Sequence, residues 1–489
     1  MFLNRLLICC ALVAPVSLLV AAPKSSGAKP NVIFILADDV GYGDFGCYGA
    51  TKVKTPNIDR LAKEGLRFTD AHSPAATCTP TRYAFLTGQY AFRNPLGSHI
   101  LPGDAPLSIK PGTFTLPALF KKAGYTTAVV GKWHLGLGER SAEQDWNGEI
   151  KPGPLEIGFD KSFIIPATGD RTPCVFVEDH RVVNLDPKDP ITVDYKNCKP
   201  GHSNPVQGIG RIGAMTGGKS ALWKDEEIAE TITSRAVKFI EQNKKQPFFL
   251  YFATHDIHVP RVPAKKFRGA SKAGVRGDVI QEFDWSVGEI FKTLKRLDLS
   301  ENTLVIVTSD NGGVLDFGDT VERDGDKKSN EGHAFNGPLR GTKGNPYEGG
   351  TRVPFVVHWP EKIKPGISAE LVCHIDMLNT CAALLDQKLP GNAGPDSFNF
   401  LSVLLGKKLE RPVREYLIED ARQKAIRQGQ WKFIPAAKGK NAKDAEDELY
   451  NLANDLGESQ NLATKNPEKV KELSSLLNQA MTQSRTRPE

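Results

Sequence analysis

No Cys-x-x-Cys occurs anywhere in the 489 residues, so a zinc ribbon lacks its ligand spacing. A dense basic stripe is missing too. Lys and Arg total 63 against 57 Asp and Glu, a net charge of +6, which suits an anionic substrate but excludes a typical nucleic-acid binder. Internal repeats and long disordered tracts are absent. Beyond the N-terminus there is no second long apolar run, so no further membrane span is expected. The one Gly-x-Gly-x-x-Gly, "GIGRIG" at 208–213, follows "KPGHSNP" where a dinucleotide fingerprint needs an apolar strand.

What is present begins with the leader. "MFLNRLLICCALVAPVSLLVAA" carries one early cation, Arg5, an apolar run from Leu6 to Val20, and small residues ending at Ala22. This predicts a secretory signal peptide over 1–22, with Ala28 a fallback cleavage point because Pro23 is a poor neighbour. The run is short for a retained anchor, so the mature protein is expected to be exported, periplasmic or secreted, without a stable membrane anchor. Export exposes thiols to oxidation. Cys174 and Cys198 are a candidate pair, with free buried thiols as the alternative, and the state of Cys373 and Cys381 is open.

Four apolar runs share one grammar: "NVIFILADD" (31–39), "TTAVVGKWH" (126–134), "PFFLYFATHDIH" (247–258) and "NTLVIVTSDNGG" (302–313). Each is hydrophobic on both faces, as strands of a helix-covered parallel sheet are, and each ends in polar residues. Amphipathic helices are expected at 55–65, 115–124, 225–243 and 278–298, with Gly65 and Gly124 as helix-ending glycines. Strands alternating with helices predict an α/β fold, a large mixed and mostly parallel sheet with helices on both faces. Residues 140–220 read as loops. The last eighty or so residues read as short antiparallel strands and a closing helix at 466–484. The expected organisation is a main domain over 23–408 and a small α+β subdomain over 409–489.

In such sheets ligands bind beyond the carboxyl ends of the strands. Asp38, Asp39, Asp310 and Asn311 should emerge there together. Three carboxylates and an amide offer only oxygen, which suits Ca²⁺ or, second, Mg²⁺ rather than zinc; the bland alternative is that they cap turns. Lys132 and His134 should point to one side if the chain stays extended. His255 and His258 do not share that relation, so at most one is expected to face the site. Lys343 sits in the glycine-rich "PLRGTKGNPYEGGTRVPF", which can approach closely. In "TCTPTRYAFLTGQY" (77–90), Cys78 stands in the expected first turn of a helix, where Pro80 fits and free amides attract an anion. Arg82, one turn on, offers a planar fork for a tetrahedral oxyanion. Cations around one spot neutralise a multiply charged ester and its transition state. A buried structural thiol would explain neither Arg82 nor the metal-like cluster.

These residues resemble the sulfatase family, of the alkaline-phosphatase-like fold. "CTPTR" followed by "LTG" is similar to the family's Cys-x-Pro-x-Arg site, "GYTTAVVGKWHLG" (124–136) to its second motif, and "NVIFILADDVGYGD" to its opening strand. "QGQWKFI" and "DELYNLANDLGESQNLA" look like its C-terminal subdomain. The resemblance implies that a maturation enzyme oxidises Cys78 to Cα-formylglycine. It implies Ca²⁺ on Asp38, Asp39, Asp310, Asn311 and modified residue 78, with Arg82, Lys132 and Lys343 on the sulfuryl oxygens. His258 would protonate the leaving alkoxide with Lys343. His134 would take the proton of the second hydroxyl of the aldehyde hydrate, expelling sulfate.

The expected activity is hydrolysis of sulfate monoesters, of a sulfated carbohydrate before an aryl sulfate. The rivals are a formylglycine-dependent phosphonate or phosphate ester hydrolase, and a glycan-binding pseudosulfatase with unmodified Cys78. A two-zinc phosphatase would want a Ser or Thr nucleophile and further His ligands. The 140–220 loops are expected to line the substrate subsite, with His255, Arg171, His180 and Arg261 as candidates.

Overall fold

The computed structural model describes residues 29–140, 143–197, 204–314, 331–437 and 445–488. The expected leader over 1–22 and Cys198 lie outside them. Ten strands form the main sheet: β1 (Asn31–Ala37), β2 (Leu66–Phe68), β3 (Thr126–Lys132), β4 (Lys161–Ile165), β5 (Val177–Glu178), β6 (Arg181–Val182), β7 (Phe248–Ala253), β8 (Thr303–Ser309), β9 (Phe355–His358) and β10 (Gly366–Ser368). Their order is β10-β2-β9-β8-β1-β7-β3-β4-β5-β6. The five from β8 to β4 run parallel, flanked by antiparallel neighbours.

The four apolar runs occupy the sheet centre, where every residue of β1, β7 and β8 is buried. Alternate residues serve opposite layers. Val32, Phe34 and Leu36 pack with α2 (Cys78–Thr87), α3 (Leu116–Lys122) and α6 (Met377–Leu384). Ile33, Ile35 and Ala37 pack with α1 (Pro56–Glu64), α4 (Ile228–Gln242) and α5 (Gly274–Arg296). Each such Leu, Ile or Phe contributes ~1.5–3 kcal/mol on burial. Register does the rest. Ala37 pairs with Ser309, Leu36 with Ala253, and Ala253 with Gly131, so the four strand ends stop within one residue of each other.

Some local expectations change. The 278–298 helix begins earlier, at Gly274. Gly124 is left-handed (φ 82°), but Gly65 is not; a side chain there would meet the Val357 carbonyl oxygen at 2.1 Å, so close packing requires the glycine. The 140–220 stretch is more than loops: it supplies β4 to β6 and two small hairpin-like pairings, one of which contains "GIGRIG". Cys47, Cys174, Cys373 and Cys381 are free thiols, so Cys373 and Cys381 are not bridged. No helix among the described residues is long and apolar enough to cross a membrane.

Towards the C-terminus a separate antiparallel sheet forms from β11 (Tyr416–Glu419), β12 (Ala425–Gln428), β13 (Trp431–Ile434) and β14 (Glu448–Asn451). Helix α7 (Pro467–Thr482) lays Leu473, Leu477 and Ala480 on its Leu417, Ile426 and Phe433, in a cluster that also takes in Ala84 and Tyr90 of the α2 region. A buried ionic clamp joins this sheet to the main body. Lys432 meets Glu348 (2.9 Å), Glu419 (2.7 Å) and Glu458 (3.3 Å), all without side-chain exposure. Arg427 pairs with Asp70, and His72 lies between Asp70 and Glu419.

Candidate active site

Cys78 opens α2, as its sequence suggests, and is 1% exposed. The residues before it are pinned from two sides. Ala76 N donates to the Asp420 carbonyl (2.8 Å), and Gly344 N donates to the Ala76 carbonyl (2.8 Å). Thr79 Oγ1 donates to the His134 carbonyl (3.0 Å), tying the first turn to the end of β3. The C-terminal sheet, the Lys343 loop and the third strand therefore all fix where residue 78 sits.

Around it the structure brings together Asp38, Asp39, Asp310, Asn311, Arg82, Lys132, Lys343, His134 and His258. Lys132 Nζ donates to Asp38 Oδ2. Lys343 Nζ donates to Asp39 (2.8 Å), as does Asn311 Nδ2 (2.8 Å), and His258 Nε2 lies 4.0 Å from Asp39 Oδ2. Arg82 differs from expectation. Its Nε and Nη2 both donate to Asp310 Oδ2 (3.0 and 2.8 Å) and its Nη1 to the Lys132 carbonyl (2.9 Å), so the fork is engaged inside the protein.

The chain does not stay extended beyond these strands. Asp39 (φ 64°) and His134 (φ 54°) are left-handed, a costly conformation for residues with side chains and one that clusters at functional sites. The surroundings hold Asp39 there. Its carbonyl accepts from Arg276 Nη2 (3.0 Å), its amide donates to Asp310 Oδ1 (3.3 Å), and the next amide, Val40, donates to Ser309 Oγ (2.9 Å).

Electrostatics separates the roles. Burial, and then Asp38, push Asp310 up to about 6. Burial also raises Asp39, but Lys343, His258 and Lys132 outweigh it and hold it far below the usual carboxylate range. Burial, with Lys132 and Arg171 beside it, keeps His134 neutral. A carbonyl only accepts, so the 2.9 Å contact of His134 Nε2 with the Leu101 oxygen fixes the proton on Nε2. Nδ1 is left as a buried lone pair without a partner among the described residues. By the same reasoning His258 Nδ1 donates to the Val259 carbonyl (2.8 Å), leaving Nε2 towards the site. Burial, Lys343 and Lys132 pull His258 down to about 3.

The donor set fits a hard cation. Asp38, Asp39 and His258 offer ligand atoms within 4.8 Å of one another. Asp38 Oδ1 and Asn311 Oδ1 are buried acceptors without hydrogen-bond partners, as a cation site requires. A second such cluster, Asp70, His72 and Glu348, is already neutralised by Arg352, Arg427 and Lys432.

The substrate candidates divide. Arg171 is close enough that Cys78 and Asp170 help raise its pKa against the effect of burial. His255 is buried below Gly169, where an added Cβ would meet its ring at 2.3 Å, and burial and His258 lower it to about 3. His180 is elsewhere. It follows antiparallel β5, which runs back towards the amino end of β4, and pairs with Glu156 (3.0 Å). Arg261 is buried and donates to the Ile257 carbonyl (2.8 Å), turned back on its own loop. Sequence reasoning missed Asp170, which pairs with Arg171 (2.8 Å) and is held at about 2 by Arg171 and His258 against burial.

A parallel sheet whose strand ends set oxygen acceptors among buried cations is suited to binding a charged oxyanion. The sulfatase family model matches residues 30–387, and this chain belongs to the sulfatase family, the sulfuric ester hydrolases. It is 48% identical over 484 residues to an N-acetylgalactosamine-6-O-sulfatase of Bacteroides thetaiotaomicron, covering 93% of each chain. It is 35% identical over 401 residues to human arylsulfatase A, covering 80% of this chain and 71% of that one. A solved structure from work on the metabolism of multiple glycosaminoglycans by Bacteroides thetaiotaomicron superposes with a TM-score of 0.87 at 46% identity, covering 94% of this chain and all of that one.

Proposed function

We propose that this protein is an exported carbohydrate sulfatase that hydrolyses the 6-O-sulfate of N-acetylgalactosamine units, using Ca²⁺ and a formylglycine made from Cys78. One observation carries the reading: Arg82, Lys132 and Lys343 converge on the start of α2, each paired with a different carboxylate. The sugar is taken from the activity of the Bacteroides relative.

Asp38, Asp39, Asp310 and Asn311 would hold the cation, which when bound supplies Lewis-acid neutralisation of sulfuryl charge. Residue 78, once modified and hydrated, would supply one hydroxyl for attack on sulfur and a second whose deprotonation would expel sulfate from the first oxygen and restore the aldehyde. The other side chains have separable tasks. Arg82 orients Asp310 and the end of β3. Lys132 and Lys343 bind the sulfuryl oxygens, exchanging part of their pairing with Asp38 and Asp39. His134, with Nδ1 as its free lone pair, accepts a proton on the residue 78 side. His258 protonates the leaving oxygen through Nε2, and the arriving anionic ester offsets the two lysines that otherwise keep it neutral. Sugar alkoxides are strongly basic, so this general acid matters most for them.

The test is mass spectrometry of the peptide containing residue 78, from protein made with a maturation enzyme, alongside sulfate release from 6-sulfated N-acetylgalactosamine. The reading expects formylglycine and turnover. An unmodified thiol in active protein, or a preference for phosphonate or phosphate esters, overturns it.

A further inference from the structure

A cavity of about 680 Å³ lies beside residue 78, lined by its neighbours Thr77 and Pro80, and its walls do not come from the 140–220 loops. Thr77, Pro80 and Lys343 form its floor; Phe92, His99 and the 420–424 turn stand around it. Its size falls within the range of ligand clefts and exceeds what a sulfate group alone needs. The 420–424 wall is anchored to the site itself. Asp420 N donates to the Pro74 carbonyl (3.0 Å) and its own carbonyl accepts from Ala76 N (2.8 Å), so the turn after β11 is fixed to the segment leading into Cys78.

The charges of this wall are unequal. Lys343 is held by Asp39, and Lys424 by Asp420 at 3.1 Å. Arg422 is exposed and has no acid partner among the described residues, and His99, also exposed, lines the same cleft near Asp420. Asp420 is the one acid against three cations in the lining. Phe92, half-buried, lines the same mouth; its ring stacks on Tyr90 and has Arg93 and Lys424 at 5.1 and 5.8 Å from its centroid. An aromatic ring and an unpaired guanidinium lining one cleft suit a pyranose that carries, or adjoins, a second negative group.

Resting on the sulfatase reading above, we propose that this cleft seats an anionic oligosaccharide and that Arg422 reads a second negative group, a carboxylate or a second sulfate, next to the scissile ester. Arg422 is a specificity determinant on the C-terminal subdomain. It does not touch the reacting atoms.

The experiment compares wild type with Arg422→Ala and Arg422→Glu on four substrates. These are an aryl sulfate, a uronate-containing 6-sulfated disaccharide, its carboxyl-reduced counterpart, and a disulfated disaccharide. Loss of one rim contact to an anion should lower kcat/KM roughly fivefold in Arg422→Ala, through KM, on whichever acidic disaccharide supplies the group, and further in Arg422→Glu. Aryl sulfate turnover should stay unchanged, which also shows that the variants are folded. The carboxyl-reduced and disulfated arms tell carboxylate from sulfate. Equal effects on all substrates, or none on either acidic disaccharide, overturn the proposal. If wild type hydrolyses no sulfate ester at all, the sulfatase reading fails separately. Calorimetric binding of the acidic disaccharides to wild type and Arg422→Ala then decides the cleft: weaker binding to the variant upholds it and equal affinity overturns it.

Discussion

Replacing Lys432 by methionine removes the one cation that contacts Glu348, Glu419 and Glu458 together, at 2.9, 2.7 and 3.3 Å. All four side chains are without solvent exposure, so water cannot take the place of the ammonium. Breaking a buried ion pair from one side costs ~3–5 kcal/mol. Arg352 and His72 still face Glu348, which places the expected loss near the lower figure.

The loss should depend on pH, and the sign follows from burial. Glu458 already shows it: burial raises it from 4.5 to about 7 despite Lys432. A carboxyl raised on folding contributes stability below its unfolded pKa and loses it as pH rises through the folded value. Without Lys432 the three glutamates all move in that direction. Against burial, Lys432 holds Glu348 and Glu419 below the usual carboxylate range in wild type, and that stabilisation is already present near pH 5. The variant should therefore fall below wild type there and further below it near pH 8. Urea unfolding followed by tryptophan fluorescence at both pH values measures this. A deficit under ~1 kcal/mol at pH 8, or one equal at both pH values, would refute the reasoning. Adding Glu419→Gln should recover part of the loss. Activity should also fall, because Glu348, whose amide donates to Glu458 Oε2 (2.7 Å), lies five residues beyond Lys343.

Three further outcomes test the site. His258→Ala should lower kcat on sugar sulfates by roughly 10²–10⁴-fold yet affect aryl sulfates with good leaving groups much less, because only the former need the acid; equal losses would contradict its role. Prolonged chelation should abolish turnover and added Ca²⁺ restore it, while Asn311→Ala should raise the Ca²⁺ concentration needed, followed by activity against free Ca²⁺; turnover that survives chelation would count against the cation reading. Gly169→Ala should displace His255, whose ring lies 2.3 Å from the added Cβ, and reduce kcat/KM on sugar substrates; an unchanged value would show that the 168–171 loop does not shape the site.

Much of the centre was legible because its signals are local. A strand buried on both faces must be apolar throughout, so β1, β3, β7 and β8 announce themselves, and the polar residues that follow them mark one sheet edge. The start of α2 was readable for the same reason, since Pro80 suits a helix's first turn and not its interior. Other features were not. Strand β4 is five residues long inside a loop-rich stretch, too short to show a period. His180 looked available beside a basic loop, but the direction of β5 carries it away from the strand ends.

The sequence by itself determined the family, the parallel core and the membership of the acidic and cationic cluster, because periodicity and motif spacing act over a few residues. Only the tertiary structure decided how those charges are shared. Arg82 is committed to Asp310 and Lys343 to Asp39, and the proton of His134 is fixed on Nε2 by a carbonyl 33 residues away. It alone set the 420–424 turn beside residue 78, through hydrogen bonds to Pro74 and Ala76. Such pairings join segments far apart in the chain, where the partner of a charge is chosen by packing and burial rather than by its neighbours in sequence.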